Sequence, residues 1–337
     1  MEKILVVNMN WLGDVVFSSP IFSALKKRYP KAHLACLAVP RVKGILECIP
    51  GIDEIIVYDE EGKHWNPLAK LKLIFQLRKQ KFDSAFLLHR SLTRALLVYS
   101  AGIPIRVGYD EKGRGRFLTH KVQKLNDNAH RSDCYLNVIE SYGVPVSDRH
   151  CRLTVSGKVD RSVEQVLSAN NLEGDDYVIL IHPGGNWDLK RWPKENFSSL
   201  IARLLEKQNV KVIISGSDND ASLVEEIVAP LKKKPIVLVG VLSLSQLMAV
   251  MKKVSLVISA DSGPLHLACG VACESIALFG PTRPEVTGPR GEGDARILQH
   301  DVGCNRNPCY NLKCLDNICM QSITVDDVFE IIQKIHN

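Results

Sequence analysis

Short apolar runs alternate with amphipathic stretches along the whole chain. In the first half, runs at 3–8, 33–39, 54–58 and 84–88, with a shorter one near 105–108, predict strands. Stretches of helical period between them predict helices over 15–28, 67–80, 91–100 and 131–142. The second half repeats the pattern. Strands are predicted near 177–182, 211–215, 235–239, 254–259 and 274–279, with helices near 194–207, 220–230, 243–252 and 263–269. Strands alternating with helices form right-handed βαβ units and mostly parallel sheets, so the fold class is α/β. The polar stretch 145–175 separates the two series and implies two Rossmann-like domains. A last helix, Val325 to Ile335, follows Thr324 as N-cap, with Asp326 and Asp327 in its first turn.

In open parallel sheets, ligands bind beyond the carboxyl ends of strands, so the turns after each strand are where chemistry is expected. After 254–259 comes Asp261-Ser262-Gly263-Pro264-Leu265-His266, a polar turn opening a helix whose first N–H groups favour an anion. Asp261 and Ser262 also suit a helix cap, and His266 a buried, satisfied ring. After 177–182 come Gly184, Gly185 and Asn186, where glycine permits close backbone approach, then Lys190, a compact charge for phosphate. Asp218 and Asp220 follow 211–215 and fit either ribose hydroxyls or the cap of the next helix. Met248 fits an adenine wall or plain core.

The first strand ends in Asn10-Trp11-Leu12-Gly13-Asp14. Gly13 allows close approach. Asp14 sits where a helix begins and suits a general base or an N-cap. Arg90, Ser91, Arg94, Arg106, Arg114 and Arg116 lie in a region whose nearby acids are Asp110 and Glu111. Arginine forks match phosphate and carboxylate oxygens, and a solvated basic face is the plainer alternative. Over 66–82, Asn66 caps, Pro67 follows, and Leu68, Leu71, Ile74 and Phe75 make an apolar stripe. That stripe is expected to pack on the domain's own sheet, with an anionic membrane as the alternative.

Composition narrows the classes. The 337 residues carry 43 basic and 37 acidic side chains, a net charge of +6, and 45% are hydrophobic, as in ordinary globular proteins. The mild basicity suits an anionic ligand or membrane surface. There is no zinc-finger spacing, basic zipper or aromatic-interleaved basic sheet, so no nucleic-acid partner is expected. No run reaches the roughly 20 apolar residues of a membrane span, and the first apolar run is too short for a signal peptide, so a cytoplasmic location is expected. Neither G-x-G-x-x-G nor a P-loop is present, which argues against a dinucleotide oxidoreductase. Ten cysteines include Cys304, Cys309, Cys314 and Cys319, spaced C-x4-C three times over. This differs from the usual zinc spacing; reduced thiols, a metal and a disulfide all remain open.

Taken together, the motifs resemble glycosyltransferase family nine, the ADP-heptose:lipopolysaccharide heptosyltransferases, and within it the heptosyltransferase II type. The resemblance rests on Asn10-Trp11-Leu12-Gly13-Asp14, Ser91-Leu92, Ala101 to Tyr109, His182-Pro183-Gly184-Gly185, Lys190-Arg191-Trp192-Pro193, Asp261-Ser262-Gly263 with His266, Phe279 to Pro284, and the Cys304–Cys319 tail. It spans nearly the whole length. It implies a GT-B fold, two Rossmann-like domains facing a central cleft. Residues 1–165 would bind acceptor, 172–322 would bind the nucleotide sugar, and 323–337 would pack back on the first domain.

The activity implied is inverting, metal-independent heptose transfer, with ADP-heptose as co-substrate and no cofactor. The acceptor implied is a phosphorylated lipid A–core, met at the cytoplasmic face of the inner membrane. Asp14 would be the general base, Lys190 would stabilise the diphosphate, Asp220 would meet ribose, and Asp261 with the Ser262 and Gly263 amides would hold the sugar diphosphate. Gly13, Gly184, Gly185, Asn186, Met248 and His266 complete the expected donor site; Arg90, Ser91, Arg94, Arg114 and Arg116 would face the acceptor. Pro264 departs from the family by removing one amide contact, and His89-Arg90 is a more basic pair than the type favours. A transferase of another nucleotide sugar and a non-catalytic sugar- or lipid-binding protein are the alternatives.

Overall fold

A computed structural model describes residues 1–172, 176–304, 308–309 and 314–336. The chain divides into two units, Met1–Thr154 and Val155–Asn337. In the first, β1 (Lys3–Val7), α1 (Leu12–Phe17), α2 (Ser19–Arg28), β2 (His33–Ala38), α3 (Lys43–Leu46) and β3 (Glu54–Val57) are followed by α4 (Pro67–Gln80), β4 (Ser84–Leu87), α5 (Leu92–Ser100), β5 (Ile105–Tyr109), β6 (His120–Val122) and α6 (Arg131–Glu140). The second begins with α7 (Gly157–Ala169), β7 (Tyr177–His182), α8 (Lys194–Leu205), β8 (Val210–Gly216), α9 (Ala221–Val228), β9 (Ile236–Val239) and α10 (Leu244–Met251). It continues with β10 (Leu256–Ala260), α11 (Gly263–Gly270), β11 (Ser275–Leu278), α12 (Pro284–Thr287), β12 (Ala295–Leu298), α13 (Ile318–Gln321) and α14 (Val325–His336).

Each unit holds one six-stranded sheet, ordered β3-β2-β1-β4-β5-β6 in the first and β12-β11-β10-β7-β8-β9 in the second. Read from the opposite edge, the second order is the first one repeated. All recorded strand pairs are parallel. The central strands are buried on both faces, which is why they read as unbroken apolar runs. In both sheets the winding reverses beside the first strand, between β1 and β4 and between β7 and β10. Ligands of doubly wound sheets bind at such switch points.

Some expectations are corrected. The helix predicted over 15–28 is two helices joined at Ser18, because Pro20 in the first turn of α2 has no N–H to continue α1. The polar stretch 145–175 contains α7, and the unit boundary falls at 154 rather than 165 because α7 packs against α10. The terminal helix α14 belongs to the second unit. Val328, Phe329 and Ile332 lie in the second unit's own core with Ile179 and Ile258, and Trp192 Nε1 donates to the Ile323 carbonyl at 2.8 Å just before it. Its cap is as expected, with Thr324 and Asp327 bonding reciprocally. No helix among the described residues is long and apolar enough to cross a membrane.

Candidate functional site

In the second unit the switch point is built by the turns after β7 and β10. Asp261 leaves β10 with its N–H on the Leu278 carbonyl and only 4% of its side chain exposed. Lys190, at the end of a 3-10 turn over Asp188–Lys190, reaches it across 71 residues of sequence. Its ammonium donates to Asp261 Oδ2 at 2.7 Å and to the Asp261 carbonyl at 3.2 Å. Thr287 Oγ1 donates to the same Oδ2 at 3.1 Å, and His266 Nε2 lies 3.5 Å from Oδ1. Burial alone would raise the Asp261 carboxyl, but the bond and charge of His266 and the charge of Lys190 outweigh it and hold the group below the usual carboxylate range. Lysine has three N–H donors, so two bonds to Asp261 leave one for an incoming anion.

Ser262 is the N-cap of α11, with Pro264 in its first turn, where a missing N–H is tolerated. Ser259 and Ser262 hydroxyls lie 3.0 Å apart. Gly184 is buried, and a Cβ there would run into the Asp220 carboxylate. Asp220 itself accepts from Ser217 N at 2.8 Å and Ser217 Oγ at 2.7 Å, a reciprocal cap. It therefore fixes the turn after β8 against Gly184. Asn186 is exposed, and Gly185 accepts from Arg191 through its carbonyl. Met248 is wholly buried in α10; it packs as core and presents no surface to adenine. His182, buried at the end of β7, is driven down to about 4 by burial, against the opposing charge of Asp220, and bonds Ser215 Oγ at 3.1 Å as a neutral ring.

In the first unit, Asp14 occupies the first turn of α1 but caps nothing; Trp11 is the N-cap residue. Tyr135 of α6 donates to Asp14 Oδ1 at 2.6 Å. Burial first, then the charge and hydrogen bond of Asp14, push the Tyr135 phenol far up, so it stays a donor. This bond fixes one carboxylate oxygen of Asp14. Gly13 lies partly buried beside it. The arginines separate into two groups. Arg94 is buried, donating from Nε to Glu60 at 2.9 Å and from Nη1 to the Asn8 carbonyl at 3.0 Å. Arg114 is also buried, donating to the Tyr109 carbonyl at 2.7 Å and to the His89 carbonyl. Burial lowers its guanidinium to about 10. These two are built into the ends of β1, β4 and β5 rather than offered to solvent. Among the described residues, the Nη2 of each has no hydrogen-bond partner. Arg90 is partly exposed and pairs with Glu111 at 3.3 Å, Ser91 is the N-cap of α5, and Arg116 is exposed.

The model of glycosyltransferase family 9 (heptosyltransferase) matches residues 70–317. The chain belongs to glycosyltransferase family 9. Lipopolysaccharide heptosyltransferase 2 of Escherichia coli K12 is 26% identical over 321 residues, with 90% of each chain covered. The crystal structure of a family 9 glycosyltransferase from Veillonella parvula superposes with a TM-score of 0.88 at 25% identity, covering 99% of this chain and 97% of that one. The E. coli ADP-heptose lipopolysaccharide heptosyltransferase II gives 0.81 at 25% identity, covering 99% and 98%.

As a family 9 glycosyltransferase the chain has the GT-B fold and is an enzyme. Two contributors to its candidate sites were missed in the sequence. Tyr135 lies 121 residues from Asp14, and Thr287 lies in α12, so neither follows a strand directly. Strand-end reasoning could not reach them. Cys304, Cys309, Cys314 and Cys319 line one cavity of about 320 Å³ with Leu189, Gly280 and His300. Among the described residues no three His, Cys, Asp or Glu side chains are grouped to hold a metal.

Proposed function

We propose that this family 9 enzyme transfers heptose from ADP-heptose to a hydroxyl of the lipopolysaccharide inner core, inverting the anomeric centre and using no metal. The observation that carries this reading is the Lys190–Asp261 pair at the β7/β10 switch point. It supplies an oriented ammonium with a donor to spare, beside the N-terminus of α11. The likeness to the E. coli ADP-heptose lipopolysaccharide heptosyltransferase II supports ADP-heptose as donor.

Asp14 takes the proton of the acceptor hydroxyl as its oxygen attacks the anomeric carbon. The bond from that carbon to the diphosphate oxygen breaks, and ADP leaves with the electron pair. Lys190 and the Ser262 and Gly263 amides meet the charge that grows on the diphosphate, a stabilisation larger in the transition state than in the ground state. Gly184 and Gly185 let the backbone approach the diphosphate, with Asp220 behind Gly184. On the acceptor side, Arg90, Ser91 and Arg116 meet acidic groups, with Arg94 and Arg114 fixing the strand ends beneath them. The acceptor is lipid-borne, so the enzyme works at the cytoplasmic face of the inner membrane.

The test is mass spectrometry of products after incubation with core lipid and a panel of ADP-, UDP- and GDP-sugars. Consumption of ADP-heptose with a heptose-sized mass increase on the lipid, unchanged by EDTA, is expected. Use of another nucleotide sugar refutes the donor. Binding of ADP-heptose without ADP release refutes heptose transfer to this acceptor.

A further inference from the structure

α4 was expected to lay Leu68, Leu71, Ile74 and Phe75 on the sheet. The structure packs only Ile74 of these partly against the core and turns Leu68, Leu71 and Phe75 outward. Leu73 and Leu77 are the buried residues of α4, whereas Leu68 is 72% exposed, Leu71 48% and Phe75 56%. Trp65, just before the Asn66 cap, is 70% exposed. α5 lies alongside, tied by Arg78 Nη2 to the Ser100 carbonyl at 2.7 Å, and exposes its own stripe of Leu92, Leu96 and Tyr99 at helical spacing. Two adjacent helices thus present apolar residues to solvent on the same unit. Large exposed apolar patches rimmed by polar residues mark interaction surfaces.

The rim identifies the partner's charge. Between Gly62 and Tyr109 the single acidic residue is Asp83, and its carboxylate is tied to the backbone N–H groups of Glu2 and Lys3. Among the described residues, no ion pair engages Lys70, Lys72, Arg78 or Lys79 of α4. Arg78 instead lies over the Phe75 ring, 6.0 Å from its centroid. Exposed apolar side chains interleaved with unpaired lysines are the pattern of a helix lying in the headgroup region of an anionic bilayer. We infer that the outer face of α4 and α5, with Trp65, docks this enzyme on an anionic phospholipid membrane. The choice of a bilayer rests in part on the lipid-borne acceptor proposed above; the apolar and basic pattern does not.

The test uses the full chain and no sugar substrate, so its result is independent of the transfer reading. Flotation is measured with vesicles of phosphatidylethanolamine and phosphatidylglycerol, and with vesicles of phosphatidylcholine. Wild type is expected to float with the anionic vesicles, less so at high salt. Leu71→Asp/Phe75→Asp is expected to lower that binding by about tenfold or more, and Lys72→Glu/Lys79→Glu to remove the preference for phosphatidylglycerol. Both pairs are exposed, so melting by circular dichroism should match wild type, and the lysine pair carries the test if the apolar pair misfolds. Absence of flotation, or unchanged flotation in the folded variants, overturns the inference. Wild-type self-association abolished by Phe75→Asp without vesicle binding also overturns it and assigns the face to a second copy of the chain.

Discussion

Replacing Lys190 by alanine separates structural from chemical roles at the donor site. The substitution removes the ammonium 2.7 Å from Asp261 Oδ2 and strands a carboxylate that is 4% exposed. Breaking a fully buried pair typically costs about 3–5 kcal/mol. Lys190 is 23% exposed, and His266 and Thr287 still reach the carboxylate, so the loss here is smaller, about 2 kcal/mol. For a unit of this size that lowers Tm by roughly 4–8 °C. In the proposed mechanism the reaction also loses the group that meets charge developing on the departing diphosphate, and kcat is expected to fall by roughly 10²–10³-fold. Thermal melts and ADP-release kinetics measure the two quantities separately. Lys190→Ala/Asp261→Asn removes the stranded charge and should regain most of the Tm while leaving kcat low. A single variant with wild-type Tm and turnover within about threefold of wild type would refute both roles. Recovery of turnover along with Tm in the double variant would show that Lys190 only holds Asp261 in place.

Asp14→Asn should lower kcat by about 10²–10³-fold with little change in Tm, and wild-type turnover would remove Asp14 as base. Tyr135→Phe should lower kcat by about tenfold, more than it changes KM, because the carboxylate loses the 2.6 Å bond that orients it; steady-state kinetics reads the split. Gly184→Ala should destabilise by about 1–3 kcal/mol in urea unfolding and weaken ADP binding, because its Cβ displaces Asp220 and with it the turn after β8. His182 gives a pH dependence. The unfolded ring protonates near 6.5 and the buried folded ring only near 4, so the unfolded state binds more protons between those values. The associated stability is complete above 6.5 and is lost as pH falls through 4, about 3 kcal/mol in all. Urea unfolding at pH 7, 5.5 and 4 should show that loss, and His182→Gln should flatten it.

What could be read from the sequence followed burial. The central strands are two-faced cores, and their apolar runs placed β1, β2, β4, β7 and β10 to within a residue or two. β6 and β12 escaped because they are short and largely outward-facing, with only Val122 of His120–Val122 buried and no fully buried residue in Ala295–Leu298. α7 escaped because it buries Val163 alone and reads as polar linker. α4 shows a different failure. Its span was legible to the residue, but it carries two apolar stripes, and spacing does not tell which one meets the sheet. Packing decides: Leu73 and Leu77 share one core with Leu5 and Ala85 of the sheet.

The site divides along the same line. Lys190 and Asp261 follow strands that are neighbours in the sheet at a switch point, so the strand order β10-β7 brings them near, and the 2.7 Å bond joins them. Asp14 and Tyr135 belong to helices packed across one another, a relation with no periodic trace in sequence. The repeated topology sharpens this difference. Two sheets with one strand order carry unlike chemistry at corresponding switch points. The β7/β10 turn holds a partly exposed lysine oriented by a buried acid. The β1/β4 turn holds a carboxylate oriented by a buried tyrosine, with two arginines buried as supports. A cation with an uncommitted donor suits a leaving diphosphate; a carboxylate suits a hydroxyl proton. The scaffold fixes where such groups stand, and the loop residues decide what they do.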